Sequence, residues 1–339
     1  MAIRGVLCAI VSMLICCVPA WPAVGGRSRL HKEFNLATIY RWQEVRLDFH
    51  PAPPLNSAGF EFFYKFPASS PGLLNPDVLD LYTQLVYDPA EGRIETRFQD
   101  VWVRFVEPLS GTKVRLGHFD LPFGLNPVIE LRGRALQPLT TLDLGFKKDW
   151  GVAVQGEWRG LTYETAATWG IGEEIRRRRG RYLWTGRIGT PTYRDVQYGV
   201  SLLYGAVARS GDSRRLQTSR RLAVDLVYLY HEPFTTLRSE LVLGEDEGAP
   251  VSGLLAELTQ ILPSRLHWGI EAQARVWKRG VSPEAAARSR SVIQVESAAG
   301  FWHSLQALMT LRLHWLHYFP YEDFGGDDRI FAQLYYYGR

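Results

Sequence analysis

Cysteine is nearly absent from this chain: Cys8, Cys16 and Cys17 are the three cysteines among its 339 residues. All three lie in residues 1–20, which read as a secretory signal peptide, with Arg4 before an apolar run and small residues leading to Ala20. Without that segment, the chain can form no disulfide, thiolate metal site or cysteine nucleophile. An exported chain of this kind is typical of the bacterial cell envelope rather than of small disulfide-linked domains.

Long apolar runs are also missing, because no segment after Ala20 is long enough for a membrane-spanning helix. The formal net charge is only +4, with 22% charged residues, which does not indicate a nucleic-acid partner. Motifs of hydrolases, nucleotide-binding loops and dinucleotide folds are absent, and the eight histidines lack metal-ligand spacing. We therefore predict no enzymatic activity, no cofactor, no metal and no nucleic-acid binding.

What the chain does have is an alternation of apolar and polar side chains with a period of two residues. It is clear in residues 196–208, 265–277 and 304–315, where one face is apolar and the other carries polar residues and glycine. Such alternation is typical of β-strands with one polar and one apolar face. The sequence therefore predicts an all-β protein.

Two architectures produce this alternation: a soluble β-sandwich with an apolar core, and a transmembrane barrel with an apolar outer face. The length of the segments, the Tyr and Trp residues near their ends, and charges in mid-strand favour the barrel. Such charges are costly in a dry core but are solvated in a lumen. The predicted pore-lining residues are Arg104, Arg115, Glu157, Glu164, Arg187, Glu240, Glu271, Arg275 and Arg312.

The connections support the same interpretation, because short and long ones alternate through much of the chain, as in outer-membrane barrels. We predict about sixteen antiparallel strands, with 14 or 18 as alternatives. They lie at 34–49, 58–66, 78–88, 92–106, 112–119, 148–158, 161–169, 182–189, 196–208, 221–231, 235–244, 251–261, 265–277, 290–302, 303–318 and 329–338.

The start of the barrel is the least regular part of the pattern. Residues 34–49 also have helical spacing, so a periplasmic or plug helix is an alternative to the first strand. The predicted organisation is a signal peptide at 1–20, a periplasmic tail at 21–33 and an outer-membrane barrel at 34–339.

The segment KVRLGHFDLPFGLNP, residues 113–127, begins as a strand and is then interrupted by proline and glycine. A long loop follows, and loops of that length in compact folds are usually functional. We expect the loop at 120–147 to fold into the lumen and form a constriction, and packing outside the barrel or at a subunit contact is the alternative. It carries the basic residues Arg132 and Arg134, with Lys147 and Lys148 at its return to the wall.

Residues 95–170 resemble the phosphate-selective-porin-like group of bacterial outer-membrane proteins. In that group a Gly-x-Phe strand end leads to Pro-Phe-Gly-Leu, a long loop and an Asp-aromatic-Gly strand. The matching residues are Gly117, Phe119, Pro122, Phe123, Gly124, Leu125, Asp149, Trp150 and Gly151. The resemblance implies a porin fold with passive diffusion of small hydrophilic solutes. The chain departs from the group in its C-terminal residues and has no recognisable lysine ladder, so the resemblance does not extend to the solute.

Two arginine-rich stretches, 175–181 and 214–221, are predicted to be loops. Their arginines could attract anions to the channel mouth, bind lipopolysaccharide phosphates, or be solvated surface residues. The function we predict is a diffusion channel, with a closed structural or surface-binding barrel and a soluble β-sandwich as alternatives. Expected partners are outer-membrane lipid and lipopolysaccharide, the barrel assembly machinery, small hydrophilic solutes and further copies of the chain in a trimer.

Overall fold

A computed structural model shows a single antiparallel sheet that closes on itself through the pairing of its first and last strands. It describes residues 27–50, 53–67, 75–107, 111–130, 133–142, 144–172, 179–209, 212–231, 233–262, 268–279, 293–305, 309–320 and 327–338. The strands are β1 (Arg27–Arg41), β2 (Arg46–Phe49), β3 (Ser57–Lys65), β4 (Asn75–Asp88), β5 (Arg93–Val106), β6 (Lys113–Asp120), β7 (Lys148–Trp158), β8 (Leu161–Thr168), β9 (Tyr182–Gly189), β10 (Val196–Arg209), β11 (Asp212–His231), β12 (Phe234–Asp246), β13 (Ala249–Ile261), β14 (Trp268–Arg279), β15 (Ile293–Leu305), β16 (Met309–Pro320) and β17 (Asp327–Gly338).

The seventeen strands make sixteen positions in the wall, because β2 and β3 share one position. Both pair with β1: β2 pairs with its C-terminal end and β3 with its N-terminal part. Between them the chain leaves the wall and makes a short 3₁₀ turn at Pro53–Leu55. Asn56 bridges the break, accepting a hydrogen bond from the Ala37 N–H at 3.3 Å and donating one to the His50 carbonyl at 2.8 Å. The predicted sixteen-strand antiparallel barrel is confirmed.

The N-terminal part differs in detail from the prediction. Residues 34–49 form neither a helix nor one continuous strand, because β1 ends at Arg41 and the chain reverses before β2. Val45, at a φ of 50°, lies in this reversal. Strand β1 also begins at Arg27, seven residues before the expected start of the barrel. The predicted signal peptide at 1–20 lies outside the described residues.

Two other boundaries were predicted wrongly. Strand β11 begins at Asp212, so the stretch 214–221 is part of the wall and not a loop. Its continuation is stabilised across strands, since Arg221 binds Asp246 of β12 at 2.8 Å. Strand β15 continues to Leu305, which moves the next turn beyond the predicted Trp302–His303 junction. The stretch 175–181 lies largely outside the described residues.

The two faces of the wall have different chemistry. Along β10, Val196, Tyr198, Val200, Leu202 and Tyr204 are exposed on the outside, whereas the residues between them are buried inside. Exposed Leu, Val, Ile and aromatic side chains continue this apolar outer surface around the sheet. A closed barrel with an apolar outer band is the form in which strands cross a bacterial outer membrane. Among the described residues, no helix is long and apolar enough to span a membrane.

This alternation predicts that the same substitution has different costs on the two faces. Leu202→Arg places a cation against lipid in the middle of β10 and should lower the free energy of unfolding by about 2–4 kcal/mol. Thr162→Arg introduces the same side chain on the lumen side of β8, where water can solvate it, and should cost less. Unfolding by guanidinium chloride in lipid vesicles, followed by tryptophan fluorescence, measures both free energies. Equal losses would contradict the assignment of the faces.

Candidate functional site

The connection between β6 and β7, residues 121–147, folds into the barrel, and we call it the inward loop. Six of its apolar side chains are almost fully buried in one cluster: Leu121, Phe123, Leu125, Ile129, Leu139 and Leu144. They pack against inward residues of β7 to β14, among them Leu203, Val227 and Leu255. Because burying one such side chain contributes about 1.5–3 kcal/mol, this packing holds the loop against one side of the lumen.

The first part of the loop is attached to the wall through its backbone. The N–H of Gly124 donates to Ser201 Oγ of β10 at 3.0 Å, and the N–H of Leu125 donates to Glu240 Oε1 of β12 at 3.1 Å. Gly124 has a φ of 55°, and a Cβ at this position would collide with the Glu240 carboxylate. Pro122, which precedes this contact, has no N–H with which to continue the strand ladder. The Pro-Phe-Gly-Leu motif is therefore the point at which the loop attaches to the wall.

The second part of the loop is attached to strands further along the wall, namely β13, β14 and β16. Arg134 forms an ion pair with Glu257 of β13. Arg312 of β16 donates to the Gly133 carbonyl at 2.5 Å, and Arg275 of β14 donates to the carbonyl of Gln137 at 3.0 Å. Arginine side chains of the wall thus satisfy carbonyl groups of the loop, which therefore crosses much of the lumen.

The strands that support the loop are fixed at its base. Lys148 binds Asp100 at 2.7 Å and Asp120 at 3.4 Å. The Asp149 carboxylate accepts hydrogen bonds from the N–H groups of Gly170, at 2.5 Å, and Gly172, at 3.1 Å, which orders the β8–β9 connection.

The remaining motif residues of the resemblance are packing residues in this region. A Cβ at Gly117, whose φ is 132°, would collide with the backbone of β5, and one at Gly151 would collide with that of β8. Phe119 is fully buried against the inward loop, and Trp150 contacts the ring of His118, with 5.1 Å between the centroids.

Two polar cavities remain beside the inward loop. The upper cavity has a volume of about 630 Å³ and reaches Gly172 in the β8–β9 connection. The lower cavity has a volume of about 470 Å³ and reaches Thr192 in the β9–β10 turn, at the other end of the barrel. Asp120 and Glu130 line both cavities. The two cavities therefore adjoin at these two carboxylates.

The lower cavity brings together four of the predicted pore-lining residues, and each is in an ion pair. Arg104 pairs with Asp77, and Arg115 pairs with Glu164 while its guanidinium lies 4.9 Å from the centre of the Phe119 ring. The lining residues among the predictions are Arg104, Arg115, Glu164 and Arg187. Arg187 is held by both oxygens of Asp225, at 2.6 and 3.1 Å.

The upper cavity contains Lys147, Lys148 and Arg275 from the predicted set. Arg275 also pairs with Glu296 of β15. The predicted constriction residue Arg132 lies outside the described residues, and Arg134 is directed at the wall rather than at either cavity.

Other predicted pore-lining residues are elsewhere. Of the described residues, Glu240, Glu271 and Arg312 line neither cavity. Glu240 is buried against the inward loop, whereas Glu271 and Arg312 are half-buried. Glu271 instead binds His314, at 3.3 Å, and Arg312, at 3.6 Å. Glu157 is exposed near the lower end of β7.

Sequence reasoning missed several lining residues. Asp120 and Glu130 were not selected because they lie at the end of β6 and in the irregular segment after it. Strand alternation does not predict there which way a side chain points. Tyr82 and Gln84 in β4 and Arg97 in β5 line the upper cavity. Their inward alternation was a signal in the sequence, but only charged residues were chosen, and in β5 only Arg104 was selected.

Comparisons with known proteins agree with this architecture. No family model and no curated protein match the chain. OmpF of Salmonella typhi, solved with daunomycin, is similar in structure, with a TM-score of 0.65 and 10% identity over 92% of this chain and 98% of that chain. The outer-membrane channel DcaP of Acinetobacter baumannii is similar with a TM-score of 0.63 and 10% identity, over 94% of this chain and 100% of that chain. An anion-selective porin from Comamonas acidovorans is similar with a TM-score of 0.60 and 12% identity, over 92% of this chain and 99% of that chain. The chain therefore has the porin fold.

The attachment of the loop can be tested at Glu240. Glu240→Ala leaves the buried N–H of Leu125 without its acceptor, which should weaken the local attachment by about 1.5–3 kcal/mol. We expect faster proteolysis within the inward loop of the detergent-folded barrel. Glu240→Gln keeps an acceptor oxygen and should have a smaller effect. If Glu240→Ala were cut as slowly as the unaltered protein, the carboxylate would not hold the loop.

Proposed function

We propose that this protein is an outer-membrane channel for the passive diffusion of small hydrophilic solutes or ions. The observation that carries the proposal is the pair of polar cavities that adjoin at Asp120 and Glu130 and extend towards opposite ends of the barrel. The names of the structural neighbours, which include porins and channels, support the same function.

The mechanism follows from how the lumen is divided. Apolar packing fixes the inward loop against β7 to β14, so the space left for water lies beside the loop. That space is lined by amides, hydroxyls and charged groups, including Asn35, Gln84 and Thr140. Such groups replace part of the hydration shell of a polar solute, whereas an apolar solute gains nothing from them.

The charges are distributed unequally across the lower cavity. The wall contributes Arg104, Arg115 and Arg187 together with Glu164, whereas Glu130 comes from the inward loop and Asp120 from the strand end that leads into it. A solute that passes from one cavity to the other therefore passes beside the two carboxylates of Asp120 and Glu130.

A closed barrel with a structural or surface-binding role is the second candidate. It is favoured by the extensive contact between the inward loop and the inner wall, which fills one side of the lumen. The two polar cavities favour the channel, because a purely structural interior would gain stability from apolar packing there.

Finer features of the resemblance stay predictions. Phosphate selectivity is not part of our proposal, since the arginines of the lower cavity are paired with carboxylates. Assembly into a trimer, binding of lipopolysaccharide and insertion by the barrel assembly machinery are further proposals. One structural neighbour, OmpT of Vibrio cholerae, is described as a trimer form.

Single-channel recording tests the channel directly. The purified, detergent-folded protein should produce stepwise current in a planar bilayer in KCl, because ions can move through the two adjoining cavities. Silence from a barrel whose folding has been verified by circular dichroism would favour the closed structural protein.

The position of the passage can be tested at Glu130. Glu130→Gln removes a carboxylate beside the route, and a unit charge about 6 Å from an ion in water changes its energy by about 0.7 kcal/mol. Removing the charge raises the energy of K⁺ and lowers that of Cl⁻ by this amount, so we expect the permeability ratio of K⁺ to Cl⁻ to fall about tenfold, as measured from the reversal potential in a KCl gradient. Glu245→Gln on the outer face of β12 is the control and should leave the ratio unchanged. An unchanged ratio for Glu130→Gln would place the ion path elsewhere.

A further inference from the structure

The passage contains ion pairs that are only partly buried. Arg115 and Glu164 keep 20% and 11% of their side-chain surface exposed, and Arg104 and Asp77 keep 28% and 23%. Lys148 and Asp120 form a third pair at 3.4 Å, in which the carboxylate is 36% exposed. Arg115, Glu164, Arg104 and Asp120 are among the residues that line the lower cavity.

An ion pair of this kind has little net attraction for a simple ion. An anion beside Arg115 is also repelled by Glu164, and a cation beside Glu164 is repelled by Arg115. The two charges of the pair lie at similar distances from the ion, and their Coulomb energies with it have opposite signs, so these energies largely cancel. The wall of the passage therefore presents local dipoles more than net charge.

A zwitterion with its two charges on one small framework interacts differently. When it lies antiparallel to the ion pair, its ammonium faces the carboxylate and its carboxylate faces the guanidinium, so both interactions are attractive. A guanidinium can donate two parallel hydrogen bonds to the incoming carboxylate. Water in the passage screens these charges, so the binding is weak and permits release as well as entry.

We propose that this channel passes small zwitterionic solutes of the α-amino-acid class more readily than uncharged solutes of the same size. This inference rests on the proposed channel function and specifies its solute class. The partly exposed pair Arg115–Glu164, and Arg104 of the pair Arg104–Asp77, form successive weak contact points along the lower cavity. The more deeply buried pair Arg187–Asp225, with 6% and 0% exposed, mainly braces the wall, although Arg187 also borders the lower cavity.

Proteoliposome swelling tests the inference, with L-serine as the zwitterion and erythritol as an uncharged solute of similar size, both at pH 7. The measured quantity is the ratio of the two swelling rates, which cancels differences in the number of open channels. We expect swelling to be faster with serine than with erythritol in the unaltered protein.

Charge-neutral double variants provide the decisive comparison. Arg115→Gln with Glu164→Gln removes one lumen pair without changing the net charge. It should lower the serine-to-erythritol ratio about twofold, because an ion pair that is screened by water contributes little. Arg104→Gln with Asp77→Asn should lower it similarly and carries the test if the first variant fails to fold. Arg220→Gln with Glu245→Gln removes an exposed pair on the outer surface and is the matched control. The reversal potential in KCl should stay the same in all three.

The outcomes separate this inference from the channel itself. Equal swelling with serine and erythritol, or a ratio that both lumen variants leave unchanged, would overturn the zwitterion preference while the channel remained. A ratio that falls equally in the outer-surface control would also overturn it. Absence of swelling with either solute would overturn the proposed channel and the inference with it.

Discussion

Backbone groups inside a closed barrel need hydrogen-bond partners that the sheet can no longer supply, and this constraint determines the interior. The wall strands satisfy one another all the way round, so the inward loop cannot join them as another strand. Two of its N–H groups donate hydrogen bonds to Ser201 and Glu240, and two of its carbonyls accept hydrogen bonds from Arg275 and Arg312. Polar residues in mid-strand thus decide where the loop lies, and the loop in turn shapes the two cavities.

The interior is also asymmetric in hydrophobicity. The inner faces of β10 to β13 carry Leu203, Val207, Val227 and Leu255, whereas β4 and β5 present residues such as Gln84 to the upper cavity. An apolar loop gains most by docking on the apolar side, and water is left with the polar side. The route beside the loop is therefore a consequence of where hydrophobic residues interrupt the polar alternation of the inner wall. That interruption is visible in the sequence, since β10 is apolar on both faces at Leu202 and Leu203.

Sequence reasoning predicted the wall well because alternation is a local property, and it predicted the break after β6 because proline and glycine have local effects. It could not separate carboxylates that hold the loop from carboxylates that line a cavity. Glu240 and Glu164 occupy equivalent inward positions, and only the contact of Glu240 with a backbone group 115 residues away distinguishes them. The arginine-rich stretch 214–221 was predicted as a loop for a related reason. The stretch pairs with β10 and β12, and Arg221 is neutralised by Asp246 of the neighbouring strand, which the local pattern does not reveal.

Burial sorts the lumen ion pairs into two roles. Removing a guanidinium from water without a carboxylate partner is costly, so a buried arginine such as Arg187 requires Asp225, and the pair stiffens the wall. Closer to the water the same pairing has another consequence, since Arg115 and Glu164 remain within reach of a solute. The field of a paired charge falls off faster with distance than that of a single charge. A passage lined in this way distinguishes solutes by where their charges lie at close contact, and much less by their net charge at a distance.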